Sequence, residues 1–114
     1  EALARRGLRR KALEHFALRL GHYARCMGRD APALRLSSAR TRWGSCSTKS
    51  GIRLNWRLVH LPPRCVDYVV AHELAHLVEM NHSRRFWDVV AGLCPDWRDA
   101  RAELKQRAGE IPVL

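Results

Sequence analysis

Two histidines and a glutamate lie one helical turn apart in the segment His72-Glu73-Leu74-Ala75-His76. Side chains four residues apart on an α-helix point in nearly the same direction, so both imidazoles can bind one tetrahedral metal ion. Glu73 leans beside such an ion, where it can accept a proton from metal-bound water. Zinc lowers the pKa of that water to about 7. The motif therefore predicts a zinc-dependent hydrolase that binds one Zn²⁺ per chain and uses Glu73 as its general base.

His82 is the strongest candidate for a third metal ligand. On an unbroken helix, it would lie about 120° from the side that His76 faces and about 9 Å further along the axis. Asn81 favours the left-handed backbone conformation that ends helices, so we expect the helix to stop near Met80 and the chain to turn His82 back towards the ion. The fourth position stays open to water, as in catalytic zinc sites. The sequence therefore predicts His72, His76 and His82 as the ligands.

Other polar residues are alternatives for the third ligand or candidates for supporting roles. The rivals for the third ligand are Glu79, Glu103 and His60, of which Glu79 lies two turns from His72 and is too remote for the same ion. Side chains that can donate a hydrogen bond to a developing oxyanion, and so contact the substrate or the transition state, are Arg42, Asn55, Tyr68 and His60. Arg42 and Asn55 can equally hold the turn and the sheet edges. Candidates to orient a ligand imidazole through its second nitrogen are Tyr68, Asp67 and Asp88.

The apolar pattern predicts a long N-terminal helix followed by a small sheet. Residues 2–28 carry an apolar stripe at steps of three or four, formed by Leu13, Phe16, Leu20, Tyr23 and Met27. Gly28 is a typical helix stop. Alternation after Pro32 predicts extended segments at 34–37, 39–46 and 52–58. We expect these segments to form a small antiparallel sheet, in which Gly44 indicates a bulge or a close backbone approach.

Three helices complete the predicted fold. Pro62-Pro63 ends the sheet and starts the helix that carries the histidine motif. Ser83 can cap a second helix, and a last helix runs from Trp97 to Ala108. The predicted class is therefore α+β, with an N-terminal helix, a small antiparallel sheet, an active-site helix and two further helices.

Length and composition predict a single domain over residues 1–114. Of the 114 residues, 46% are apolar and 28% are charged, and no segment is long and apolar enough to span a bilayer. Because the chain begins at Glu1 without a methionine, we expect it to be the C-terminal part of a longer protein. The four cysteines form no C-x-x-C pair. This spacing argues against a cysteine metal site and favours reduced thiols in a cytoplasmic protein.

The formal net charge is +10, from 21 Lys and Arg against 11 Asp and Glu. Such an excess favours polyanionic partners such as nucleic acid, or substrates that carry phosphate, because arginine binds phosphate well. A solvated arginine-rich surface explains the same composition. Two alternatives to a peptidase therefore stay open. One is a metal-dependent hydrolase of a phosphate-bearing substrate such as a nucleotide, and the other is a basic nucleic-acid-binding module with structural zinc.

Five sequence blocks also occur in an order that is typical of one family. They are Thr41-Arg42-Trp43-Gly44-Ser45-Cys46-Ser47, Leu54-Asn55-Trp56-Arg57-Leu58, Asp67-Tyr68-Val69-Val70-Ala71-His72-Glu73-Leu74-Ala75-His76, Asn81-His82-Ser83 and Phe86-Trp87. With these blocks, the chain resembles the YgjP-like metallopeptidase domain, a relative of SprT-like and small glutamate-zincin proteins. The resemblance implies a compact zincin core with a small sheet over the active helix, the three histidines as ligands, and peptides or proteins as substrates. The histidine spacing also equals that of the metzincins, but Glu79 stands where they require glycine and no methionine follows Met80, so we reject that subgroup.

Overall fold

A computed structural model describes residues 2–108 of the chain. In chain order, the elements are α1 (Ala2–Cys26), β1 (Leu34–Ser37), β2 (Gly44–Ser47), β3 (Gly51–Asn55), a 3₁₀-helix (Trp56–His60), α2 (Pro63–Ala75), α3 (Arg84–Leu93) and α4 (Trp97–Arg107). This order confirms the predicted α+β class, with an N-terminal helix, a small sheet and three further helices. No helix within residues 2–108 is long and apolar enough to cross a membrane.

The three strands form a mixed sheet in the order β1-β3-β2. β2 and β3 pair in antiparallel fashion, but β1 runs parallel to β3, with Leu34 opposite Ile52 and Leu36 opposite Leu54. The expectation of an entirely antiparallel sheet was therefore wrong. The loop at 38–43 reverses the chain between β1 and β2, and the hairpin then inserts β3 between them. The length of a connecting loop does not determine which strands pair, so the parallel pairing could not be predicted from it.

β3 is shorter than the alternating pattern indicated. It ends at Asn55, and the chain continues as the 3₁₀-helix instead of running extended to Leu58. The side-chain oxygen of Asn55 accepts a hydrogen bond from the backbone N–H of Arg57, which caps the new helix. Trp56 and Leu58 are nevertheless buried. The burial of Trp56 and Leu58 was therefore predicted correctly, but Asn55 and Arg57, which the alternation placed on the opposite face, are buried as well.

The core lies between α1, the sheet and α2. The largest fully buried side chains from these elements are Phe16 and Leu20 of α1, Ile52 and Leu54 of β3, and Val66, Val70 and Leu74 of α2. Of the predicted α1 stripe, Leu13 is exposed, and Ala12 and Ala24 are buried in the helix face instead. The chain leaves α1 at Gly28, where a φ of 71° makes glycine the favoured residue. α2 lies in the middle of the fold and packs against α1, the sheet, α3 and α4.

Candidate metal centre

α2 ends at Ala75, directly before the second histidine of the motif. The backbone N–H groups of His76, Leu77 and Val78 bond to carbonyls three residues earlier, at 3.0–3.2 Å. These tighter turns replace the α-helical ladder and change the direction of the chain. The predicted stop near Met80 was therefore five residues too late. Asn81 is not left-handed either, because no non-glycine residue between positions 2 and 108 has a positive φ.

The chain after these turns is fixed by the start of α3. Ser83 is the N-cap, and its hydroxyl accepts a hydrogen bond from the backbone N–H of Phe86 at 3.4 Å, as the sequence predicted. His82 thus stands immediately before a capped helix. The early helix end and the cap together return His82 to the side of α2 from which His72 projects.

The three imidazoles meet at this point. Ring centroids are 5.0 Å apart for His72 and His76, 5.3 Å for His72 and His82, and 4.9 Å for His76 and His82. One nitrogen from each ring lies within 4.8 Å of the other two. Nitrogens bound to one tetrahedral zinc ion are about 3.4 Å apart, so small ring rotations bring all three onto one ion. The donor set therefore fits a divalent metal of the zinc type.

The second nitrogen of two of these rings is already engaged. Nδ1 of His72 lies 3.4 Å from the hydroxyl of Tyr68, and Nδ1 of His76 lies 3.3 Å from the carbonyl oxygen of Glu79. Both contacts leave Nε2 available for an ion and fix the ring orientation. The structure thus places Tyr68 against a predicted ligand, as the sequence analysis expected.

The two aspartates proposed for the same task lie elsewhere. Both oxygens of Asp67 accept hydrogen bonds from Arg19 of α1, at 2.8 and 3.0 Å. Asp88 is exposed on α3. Neither aspartate therefore orients a histidine ring as expected from the sequence. Asp67 joins α2 to α1, and it is the hydroxyl of Tyr68 that lies at Nδ1 of His72.

An aromatic wall closes one side of the three histidines. Phe86 is fully buried, and its ring centroid lies 5.0, 4.5 and 4.9 Å from those of His72, His76 and His82. Trp87 lies 5.8 Å from His72 and 6.2 Å from His82. Burial, followed by the charges of the neighbouring histidines, lowers the pKa of His72 to about 4, and burial also lowers the pKa of His76. Both imidazoles are therefore neutral at pH 7, which is the form that binds metals.

Glu73 is a buried carboxyl group beside this triangle, only 6% exposed. Burial raises its pKa to about 7, and the positive charge of Arg42 partly opposes that rise. A group with a pKa near 7 is well suited to accept and return a proton at neutral pH. The carboxyl packs against Gly44, where an added Cβ would lie 3.0 Å from both Cγ and Oε2 of Glu73. The close approach that the sequence indicated at Gly44 is therefore an approach to Glu73.

A cleft of about 420 Å³ reaches Glu73 and His72 from between β2, α2 and α4. Its polar and charged lining residues are Thr41, Arg42, Tyr68, His72, Glu73, Arg101 and Lys105. Arg101 and Lys105 were not among the site residues predicted from the sequence. Their only sequence signal is that they share one face of α4 as an i, i+4 pair, and this becomes informative once α4 is known to pack on α2.

Asn55 holds the loop that carries Arg42. Its side-chain nitrogen donates to the carbonyl oxygens of Ala39 at 2.7 Å and Arg42 at 3.2 Å, and its oxygen accepts from the N–H of Arg57. Asn55 is buried and does not line the cleft. The expected substrate contact is corrected to a structural one, which is the other role that the sequence allowed.

The remaining alternatives lie apart from the histidines. His60 is exposed at the end of the 3₁₀-helix, with its ring edge-on to Trp56 at 5.8 Å, and does not line the cleft. Glu103 binds two arginines, Arg64 and Arg107. Within residues 2–108, the three histidines are the only group of three or more metal-binding side chains that could hold an ion together.

Comparison with known proteins yields one match. A family model described as YgjP-like, metallopeptidase domain, matches residues 1–107. No curated protein and no solved structure gave a significant match. The matched range contains the three histidines, Glu73 and nearly all of the cleft. The family and the histidine cluster together support a metal-dependent hydrolase and imply a divalent metal.

Proposed function

The chain belongs to the YgjP-like metallopeptidase domain family, and we propose that it is a zinc-dependent peptidase in which His72, His76 and His82 hold the metal and Glu73 is the general base. The observation that carries this proposal is the buried carboxyl of Glu73 beside three converging imidazoles. When bound, zinc supplies a Lewis acid that polarises a carbonyl group and lowers the pKa of a water molecule.

Three side chains of the protein have the other roles in the proposed reaction. Glu73 would take a proton from the attacking water and pass it to the leaving amine, and a divalent cation beside it would favour the carboxylate form that accepts this proton. Tyr68 holds the ring of His72 through the contact at Nδ1. Arg42 lines the cleft near Glu73 and is our candidate donor to the developing oxyanion. The extended peptide would enter through the cleft between β2 and α4.

A second candidate function is hydrolysis of a phosphate-bearing substrate such as a nucleotide. The observation in its favour is that Arg42, Arg101 and Lys105 all line the cleft, because guanidinium and ammonium groups bind phosphate. A nucleic-acid-binding module with structural zinc is less well supported. It has no use for Glu73, whose burial beside the imidazoles costs desolvation energy without providing a ligand.

Replacement of Glu73 tests the proposal directly. We expect Glu73→Gln to keep one zinc per chain, measured by mass spectrometry of the metal, and to lose about 10²- to 10⁴-fold in kcat on peptide libraries. Glu79→Gln is the matched control, because it removes the same charge from the turn after α2 and leaves the backbone carbonyl that contacts His76. His82→Ala should lose the zinc.

The same proteins are assayed on a nucleotide panel. Zinc-dependent and Glu73-dependent turnover of nucleotides, with none of peptides, would replace the peptidase by the second candidate. If Glu73→Gln turns over peptides as fast as Glu79→Gln, the role of Glu73 is refuted. Tight nucleic-acid binding with no turnover on either panel would favour the binding module.

A further inference from the structure

Three cations line the cleft. Arg101 and Lys105 come from one face of α4, and Arg42 comes from the loop before β2. Glu73 is the only acidic residue that lines this cleft within the described chain, and its carboxyl interacts with the positive charge of Arg42. Arg101 and Lys105 are therefore the two cations of the cleft wall that no acidic cleft residue balances.

These cations also lack carboxylate partners among residues 2–108. The ion pairs described there join Arg19 to Asp67, and Arg64 and Arg107 to Glu103. α4 therefore carries two kinds of charge, with Glu103 neutralised on one face and Arg101 and Lys105 facing the cleft. Burying a substrate beside two unbalanced cations favours a substrate that brings a negative charge.

Arg101 is also held in place. Its guanidinium carbon lies 5.4 Å from the ring centroid of Trp87, the same side chain that packs on His72 and His82. An arginine stacked on an aromatic ring loses less freedom when it binds a partner.

The cleft wall between the charges is apolar. Val69 and Leu104 line it together with Trp43. Apolar walls exclude water once a substrate enters, and a charge pair is then screened less than one on the open surface. The cleft extends from Glu73 to Lys105, which lies near the end of α4.

We propose that Arg101 and Lys105 form a subsite for an acidic residue of the peptide substrate, Asp or Glu, close to the scissile bond. The inference rests on the proposed peptidase function and adds a substrate class to it. The same subsite rejects Lys and Arg at that substrate position, because like charges repel inside a partly closed cleft.

A fluorogenic peptide set tests this subsite. Its members differ only in carrying Glu, Gln or Lys at one position at a time on either side of the cleaved bond. We expect the parent protein to prefer Glu over Gln at one position by about tenfold in kcat/KM. Arg101→Gln and Lys105→Gln each reduce that ratio, and the double variant brings it to about one. Lys105→Glu combined with Arg101→Gln makes the net charge of the pair negative and should invert the order, so that Lys becomes the best residue.

Arg98→Gln is the control for overall charge. Arg98 lies on the same helix and also stacks on an indole, that of Trp97 at 4.6 Å, but it does not line the cleft. We expect this variant to keep the preference for Glu. Thermal unfolding of each variant checks that it is folded, and the inverted order in the Arg101→Gln/Lys105→Glu variant is a gain that an unfolded protein cannot produce.

The outcomes separate the two proposals. Glu73-dependent cleavage of neutral peptides without a preference for Glu at any position would overturn the subsite and leave the peptidase standing. A preference that survives in the double variant, or that Arg98→Gln abolishes equally, would also overturn it. If peptides are not cleaved and nucleotides are, with turnover that falls in Arg101→Gln, both the peptidase and the acidic-peptide subsite are refuted.

Discussion

Gly44→Ala should impair catalysis without removing the metal. The new Cβ would lie 3.0 Å from Cγ and Oε2 of Glu73 and 3.2 Å from the carbonyl oxygen of Arg53, where ordinary contacts are 3.4–4 Å. The backbone of Arg53 is fixed in the sheet, so the carboxyl of Glu73 must move by a few tenths of an ångström. A displacement of about 1 Å can cost roughly 10²-fold in rate, so this smaller one should cost less. We therefore expect kcat/KM to fall by about 3- to 10-fold.

The assay measures kcat/KM on a peptide that the parent protein cleaves, together with zinc content and the free energy of unfolding. Zinc should be retained, because the clash is with Glu73 and not with the three imidazoles. Gly92→Ala is the matched control: a Cβ at Gly92 in α3 would meet nothing within 4 Å, and alanine stabilises a helix interior by about 0.5–1 kcal/mol. If Gly44→Ala keeps its activity within twofold of Gly92→Ala, the packing of Gly44 does not position Glu73.

Four further results are expected. Tyr68→Phe should weaken zinc binding by about 10- to 100-fold in a competition titration, because it removes the hydroxyl at Nδ1 of His72. Asn55→Ala should lower the free energy of unfolding by about 2–3 kcal/mol in urea, since it deletes two bonds to the 38–43 loop and a helix cap. Gly51→Ala should destabilise by more than about 1 kcal/mol in the same assay, because its φ is 90° and a Cβ would lie 2.3 Å from the carbonyl oxygen of Ala33. A chelator should lower the melting temperature of the parent protein, and added zinc should restore it, because three ligands that converge only in the folded state couple metal binding to stability.

The parts of the site that sequence could predict are those set by local geometry. The i, i+4 spacing places His72, in the last turn of α2, and His76, the C-cap of that helix, on the same side of the chain. Ser83 indicates the start of α3 because its side-chain oxygen can cap a helix. Gly28 indicates the end of α1 because glycine readily adopts the positive φ found there. Each of these depends on a few neighbouring residues, so each is visible in a short window of sequence.

The parts that sequence could not predict depend on distant contacts. The return of His82 was expected from a left-handed Asn81, but it comes from tight turns directly after Ala75 and from the cap at Ser83. The result is a similar position by a different backbone path. The parallel pairing of β1 with β3 and the facing of Arg101 towards the cleft both require knowledge of which elements pack together.

The net charge is another property from which the sequence alone could not predict function, because it does not show where the charges lie. A formal charge of +10 describes the whole chain, and from the sequence it was consistent with a nucleic-acid surface and also with a solvated one. Many of the cations, including Arg5, Arg6, Arg9 and Arg10 of α1, are exposed on the long N-terminal helix. Arg42, Arg101 and Lys105 are different because they line one cleft beside Glu73. Their effect on a substrate must therefore depend on where its negative charge lies, whereas a diffuse surface charge would attract every anionic ligand to a similar degree.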